Sequence, residues 1–135
     1  MRDERLETKD ESMGERCYSY RKLDVYQKAQ DWVVLVYGLV KKFPPEERYA
    51  LCDQVRRAAI SVTSNIAEGM SRSSGKDAAR FIEISYGSLM EVQSQLEIAI
   101  KLNYINNEEL KKIDPLTDEI ARMLSGLRAS LVSRL

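Results

Sequence analysis

Residues 78–99, Ala78-Ala79-Arg80-Phe81-Ile82-Glu83-Ile84-Ser85-Tyr86-Gly87-Ser88-Leu89-Met90-Glu91-Val92-Gln93-Ser94-Gln95-Leu96-Glu97-Ile98-Ala99, decide the fold. Ala78, Ile82, Ser85, Leu89, Val92, Leu96 and Ala99 recur at spacings of 4, 3, 4, 3, 4 and 3, the rhythm of a helix packed along one stripe of a bundle. Gly87-Ser88 costs up to about 1 kcal/mol of helix propensity, which is tolerable where small side chains let another helix come close. Upstream, Met70-Ser71-Arg72-Ser73-Ser74-Gly75 reads as a loop, with Ser73 or Ser74 as N-cap. Downstream, 103–107 forms a turn and Glu108-Glu109 open a helix whose apolar set is Leu110, Ile113, Leu116, Ile120, Leu124, Leu127 and Leu131. Pro115 interrupts that set, and the expectation is a fresh start with Asp114 as cap rather than a kink.

Two more helices precede this pair. Leu23, Tyr26, Gln30, Val33, Tyr37 and Val40 form one stripe, and Val25, Ala29, Trp32, Val36, Leu39 and Phe43 form a second beside it. One core cannot take both, so Trp32, Val36 and Leu39, or the stripe beside them, are expected to meet another subunit. Phe43-Pro44-Pro45-Glu46-Glu47 ends this helix and begins the next, expected from about Pro45 to Ala67 with Gly69 as its left-handed C-cap. Its apolar stripe is Cys52, Val55, Ala59, Val62 and Ile66, while Gln54, Arg57, Ser61, Asn65 and Glu68 share a polar stripe. That stripe reads as a buried network, a subunit contact or a ligand site, with plain exposure as the remaining option. Four helices joined by short loops give an all-α, antiparallel, up-down-up-down four-helix bundle.

Composition narrows function more than it defines it. The chain has 135 residues, room for one domain. Residues 1–19 hold four basic and six acidic side chains and read as a flexible charged tail, leaving 20–135 for the bundle. Lys and Arg total 21 and Asp and Glu 21, so the formal net charge is zero and any phosphate-binding site must be a local patch. Histidine is absent, which removes the commonest general base and the Glu-x-x-His pairs of a di-iron bundle. Cys17 and Cys52 lack the spacing of a zinc site or disulfide framework. The charged N-terminus and the nine-residue apolar run Trp32–Val40 offer no signal peptide or membrane span, so a cytoplasmic location is expected. Gly69 and Gly75-Lys76 do not make a phosphate loop, because their spacing is wrong and Asp77 stands where Ser or Thr is required. Asp53 and Glu68, about 22 Å apart along a helix, cannot act on one bond. No catalytic residue, metal ligand, cofactor or small-molecule substrate is indicated. The best phosphate-contacting candidates are Arg56, Arg57, Arg72 and Lys76, in a segment whose local basic excess carries no interleaved aromatic for base stacking.

Gln54-Val55-Arg56-Arg57-Ala58-Ala59-Ile60-Ser61, Asn65-Ile66-Ala67-Glu68-Gly69, Arg72 and Gly87-Ser88-Leu89-x-Glu91 together resemble the bacterial four-helix-bundle proteins called intervening-sequence proteins of large-subunit ribosomal RNA genes. The resemblance extends back through Leu23-Asp24-Val25-Tyr26-x-Lys28-Ala29 and Phe43-Pro44 and forward to Leu96, Ala99, Leu102 and Tyr104, covering nearly all of 20–131. Thr63 departs from it, since members often carry Pro there, which predicts a straighter second helix; the acidic tail is also extra. The resemblance implies a ring-like homopentamer, no enzyme activity, and a role beside RNA or DNA, because related bundles also accompany diversity-generating reverse transcriptases. It carries over no catalytic residue. Two functions follow as expectations: an oligomeric module that contacts nucleic acid through Arg56, Arg57, Arg72 and Lys76, or a protein-interaction scaffold in which those arginines make salt bridges.

Overall fold

The computed structural model describes residues 18–133 and places four helices in them: α1 (Asp24–Val40), α2 (Leu51–Met70), α3 (Gly75–Lys101) and α4 (Asn107–Val132). Short 3-10 turns at Ser19–Lys22 and Pro45–Glu47 precede α1 and α2. The expected tail therefore lies outside the described residues up to position 17, as does Cys17, while Ser19 opens the first turn. Each helix starts and stops for a local reason. Ser74 accepts from the Asp77 N–H at 3.0 Å, and Asn106 and Glu109 form a reciprocal capping box that satisfies two free N–H groups of α4. At the end of α3, Asn103 takes the left-handed conformation (φ 66°), and Tyr104 N–H reaches back to the Ala99 carbonyl at 2.9 Å, closing a Schellman turn.

Cross-links fix the arrangement. Ser85 meets Val62 and Ser88 meets Ser61 between α3 and α2; Gln93 meets Asp114 and Glu83 meets Arg128 between α3 and α4; Trp32 meets Thr117 and Lys28 meets Glu119 between α1 and α4. In every pair one number rises as the other falls, so neighbouring helices run antiparallel. The α2–α3 contact is the most extensive, and α1 rests more lightly on α2 and α4. The core comprises the expected stripes of all four helices, with Trp32, Val36, Ile66, Leu89, Leu96, Ile120 and Leu124 almost fully buried.

Five expectations need correction. Trp32, Val36 and Leu39 are 1%, 0% and 8% exposed, so they belong to the chain's own core and present no surface to a second subunit. The bundle takes this stripe inward, half-buries Leu23, Tyr26, Val33 and Tyr37 at its flank, and leaves Val34 (70%) and Leu35 (45%) outside. Second, α2 begins at Leu51 rather than Pro45, because the proline turn closes separately and Glu47 accepts from the Leu51 N–H. Third, Gly69 is not a left-handed cap but lies inside α2, where a Cβ would sit 3.0 Å from Phe81 Cβ and 3.1 Å from the Ala78 carbonyl. Fourth, α4 runs through Pro115 without a restart; the ring lies on the exposed side, and Ile113 and Thr117 are buried on either side of it. Fifth, Gly87 has nothing within 4 Å of a Cβ, and the close approach of α3 to α2 is made by Ser85 and Ser88 instead. Helix α2 is unbroken through Thr63, whose hydroxyl donates to the Ile60 carbonyl.

A charged clasp joins the bundle at one end. Lys42, just past α1, pairs with Glu109 in the first turn of α4, and this bond, with the Asn106 N–H, holds the Glu109 carboxyl below its ordinary value. Its contribution is present above the unfolded value and is lost as pH falls through the lowered one. The Tyr104 hydroxyl donates to Glu47 at 2.7 Å, which pushes its pKa up.

The glycine geometry makes a paired prediction. Gly69→Ala is expected to lower unfolding stability by about 1–3 kcal/mol through overpacking, whereas Gly126→Ala, with open space around its Cβ, should raise it by about 0.5–1 kcal/mol. Chemical denaturation followed by circular dichroism measures both.

Candidate nucleic-acid interface

The four candidate cations divide into two groups. Arg56 and Arg57 sit in the first half of α2; Arg56 is half-buried with its guanidinium 5.7 Å from the centre of the Tyr37 ring, and Arg57 is exposed. Neither makes an ion pair among the described residues. They line a shallow cleft of about 410 Å³ together with Tyr37 of α1 and Asp53, Ile60, Ser61, Ser64 and Asn65 of α2.

Arg72 lies just beyond the end of α2, 15 positions from Arg57, or about 22 Å along the axis. It is already engaged: Glu68 accepts from its guanidinium at 2.6 Å, and the group stacks 4.6 Å from the Phe81 ring centre. Lys76, in the first turn of α3, is exposed and free of ion pairs among the described residues. The structure thus brings Arg56 and Arg57 together but does not join them to Arg72 and Lys76 in one patch. Arg80 of the same segment pairs loosely with Asp77 at 3.8 Å.

The polar stripe divides as well. Ser61 hydrogen-bonds Ser88 at 2.8 Å across the α2–α3 seam, and Asn65 Nδ2 donates to the Ser61 carbonyl at 2.8 Å and to its hydroxyl at 2.9 Å. Glu68 holds Arg72, whereas Gln54 and Arg57 face solvent. Half of the stripe is therefore structural and half is surface. Sequence reasoning missed Ser88 as the hydroxyl that answers this stripe, and two further buried polar groups elsewhere: Thr117, which accepts from the Trp32 indole at 2.9 Å, and Gln95, 7% exposed, which donates to Glu91. Ser88 lies one residue off the apolar rhythm of α3, and Thr117 one residue off that of α4, so a rule that counts only apolar spacing passes over both.

Among the described residues no group of acidic and Cys side chains is placed to hold a metal ion, and no helix is long and apolar enough to cross a membrane.

Comparison with known proteins bears directly on these segments. The 23S rRNA-intervening sequence protein family matches residues 21–126. The chain belongs to this family. That span contains every arginine discussed above except Arg128, and the whole polar stripe. Among solved structures, the chain is similar to a protein of unknown function from the S23 ribosomal protein family of Bacteroides thetaiotaomicron VPI-5482, with 25% identity and a TM-score of 0.70 over 77% of this chain and 97% of that one. None of the curated proteins matches.

The seam geometry yields a coupling prediction. Ser61→Ala and Ser88→Ala should each destabilise the bundle, and the double variant should cost less than the sum by about 0.5–1.5 kcal/mol, since each single change strands the other hydroxyl. Arg72→Ala, which removes an exposed pair, should stay within about 1 kcal/mol of wild type on the same denaturation assay.

Proposed function

We propose that this protein is a non-catalytic bundle module of the cytoplasm that works as a homo-oligomer, with RNA or DNA as the ligand of its free arginines. The observation that carries self-association is a core already filled from within one chain while branched apolar side chains remain outside: Val34 is 70% exposed, and Leu35, Ile84 and Ile98 are 43–49% exposed. Such residues gain about 1.5–3 kcal/mol each when fully covered. The subunit contact is thereby transferred from the buried Trp32 stripe to the outer faces of the helices. The family resemblance favours five subunits. Sedimentation equilibrium at micromolar concentration should give a species near five times 15.5 kDa, and a monomer overturns the reading.

The nucleic-acid part rests on a separate observation, that Arg56 and Arg57 make no ion pair among the described residues and line an open cleft. Arg72, engaged by Glu68, contributes less to it. Filter binding of a structured RNA at two salt concentrations is expected to show affinity falling with salt, with a slope reduced by about 2 in the Arg56→Ala, Arg57→Ala double variant. No binding at low salt leaves the alternative, a protein-interaction scaffold or accessory subunit, in which these arginines serve protein contacts.

A further inference from the structure

Where α1 hands over to α2, the proline turn opens a second cleft of about 290 Å³, lined by Lys41, Arg48 and Arg56 together with Cys52 and the turn itself. No carboxylate lines it. Arg56 also lines the cleft that contains Arg57 and Tyr37, so the two clefts adjoin at one guanidinium. Lys41, Arg48, Arg56 and Arg57 therefore form one run of cations, and none of them makes an ion pair among the described residues. Asp53 is the one acidic side chain that lines either cleft. Lys41 and Arg48 precede the basic segment visible in the sequence and reach Arg56 only through the turn.

The run also has aromatic neighbours. The Arg48 guanidinium lies 5.9 Å from the centre of the Tyr49 ring, as that of Arg56 lies beside Tyr37. Tyr37 is half-buried, but Tyr49 is 82% exposed, more than any other large apolar or aromatic side chain described, and takes no part in the core. An aromatic ring that burial does not use, beside a guanidinium that no carboxylate holds, suits a strand whose phosphates follow the cations while a base stacks on the ring. A duplex cannot use the ring in this way, because its bases are stacked on one another and offer a protein only phosphates and groove edges. An acidic peptide would satisfy the cations and leave the ring without a partner.

We propose that this paired cleft seats the backbone of a single-stranded nucleic acid on Lys41, Arg48, Arg56 and Arg57, with one base stacked on Tyr49. The proposal rests on the nucleic-acid reading above and deepens it by naming the form of the strand and three further contacts.

Fluorescence anisotropy of a labelled oligonucleotide of about 12 nucleotides tests it, with RNA and DNA in separate arms, each titrated as a single strand and annealed to its complement. In the arm that binds, Tyr49→Ala should weaken the single strand by about fivefold or more, the effect of losing one base–aromatic stack, and leave the duplex unchanged. Tyr49→Phe, which keeps the ring, should bind the single strand within about twofold of wild type. Lys41→Ala and Arg48→Ala should each lower the slope of log affinity against log salt by about 0.7, whereas Lys76→Ala, beyond the far end of α2, should leave it unchanged. All of these side chains are exposed, so every variant should keep the wild-type melting curve. Single-strand binding that Tyr49→Ala leaves intact, a loss that Tyr49→Phe shares, or a salt slope that neither Lys41→Ala nor Arg48→Ala lowers overturns this contact and leaves the reading of Arg56 and Arg57 standing. No binding of either form in either arm overturns both.

Discussion

The close antiparallel approach of α2 and α3 is the constraint from which the rest of the bundle follows. Gly69 has no Cβ where α3 passes, and Ala58, Ala78, Ser85 and Ser88 keep the seam narrow. At that distance the serine hydroxyls cannot be left without partners, since a buried unsatisfied hydroxyl costs about 1–3 kcal/mol. Ser85 therefore donates to the Val62 carbonyl at 2.8 Å, and Ser88 shares a bond with Ser61. A slip of one turn along the seam would break both. The polar atoms thus select one register from the several that apolar stripes alone would accept. Trp32 and Thr117 play the same part between α1 and α4, where the buried indole N–H donates to the threonine hydroxyl.

This division explains what was legible in the sequence. Stripes of apolar side chains at 3- and 4-residue spacing gave the helices, their order and nearly all of the core, because burial depends on periodicity and little else. The expected N-cap at Ser74 and the acidic opening of α4 follow from local backbone chemistry, which short sequence windows contain. Gly69 and Pro115 were misread for a common reason. Each is a helix breaker by propensity, and each is held inside a helix by tertiary packing that no window shows: Gly69 by Phe81 and Ala78, Pro115 by the burial of Ile113 and Thr117 around it.

Of the candidate site, residue types were legible and groupings were not. Four basic residues close in sequence became two groups about 22 Å apart, because a helix spreads neighbours along its axis at 1.5 Å per residue. The i,i+4 pairing of Glu68 with Arg72 then withdrew one of them. The polar stripe of α2 divided because Ser61 finds a partner in Ser88 of α3, a contact that the sequence of α2 alone does not contain.

Of the two apolar stripes of α1, the one that holds Trp32 turns inward. Both stripes satisfy the same spacing rule, and the difference between them is which one holds the tryptophan. Burying the largest side chain inside the monomer is the better solution, since the indole finds a hydroxyl there, whereas a subunit boundary would have to supply one from outside. The side chains then left over are smaller and flanked by charge: Val34 lies between Asp31 and Lys41 along the outer line of the helix. Leaving side chains of that size in water costs less than leaving the indole there would.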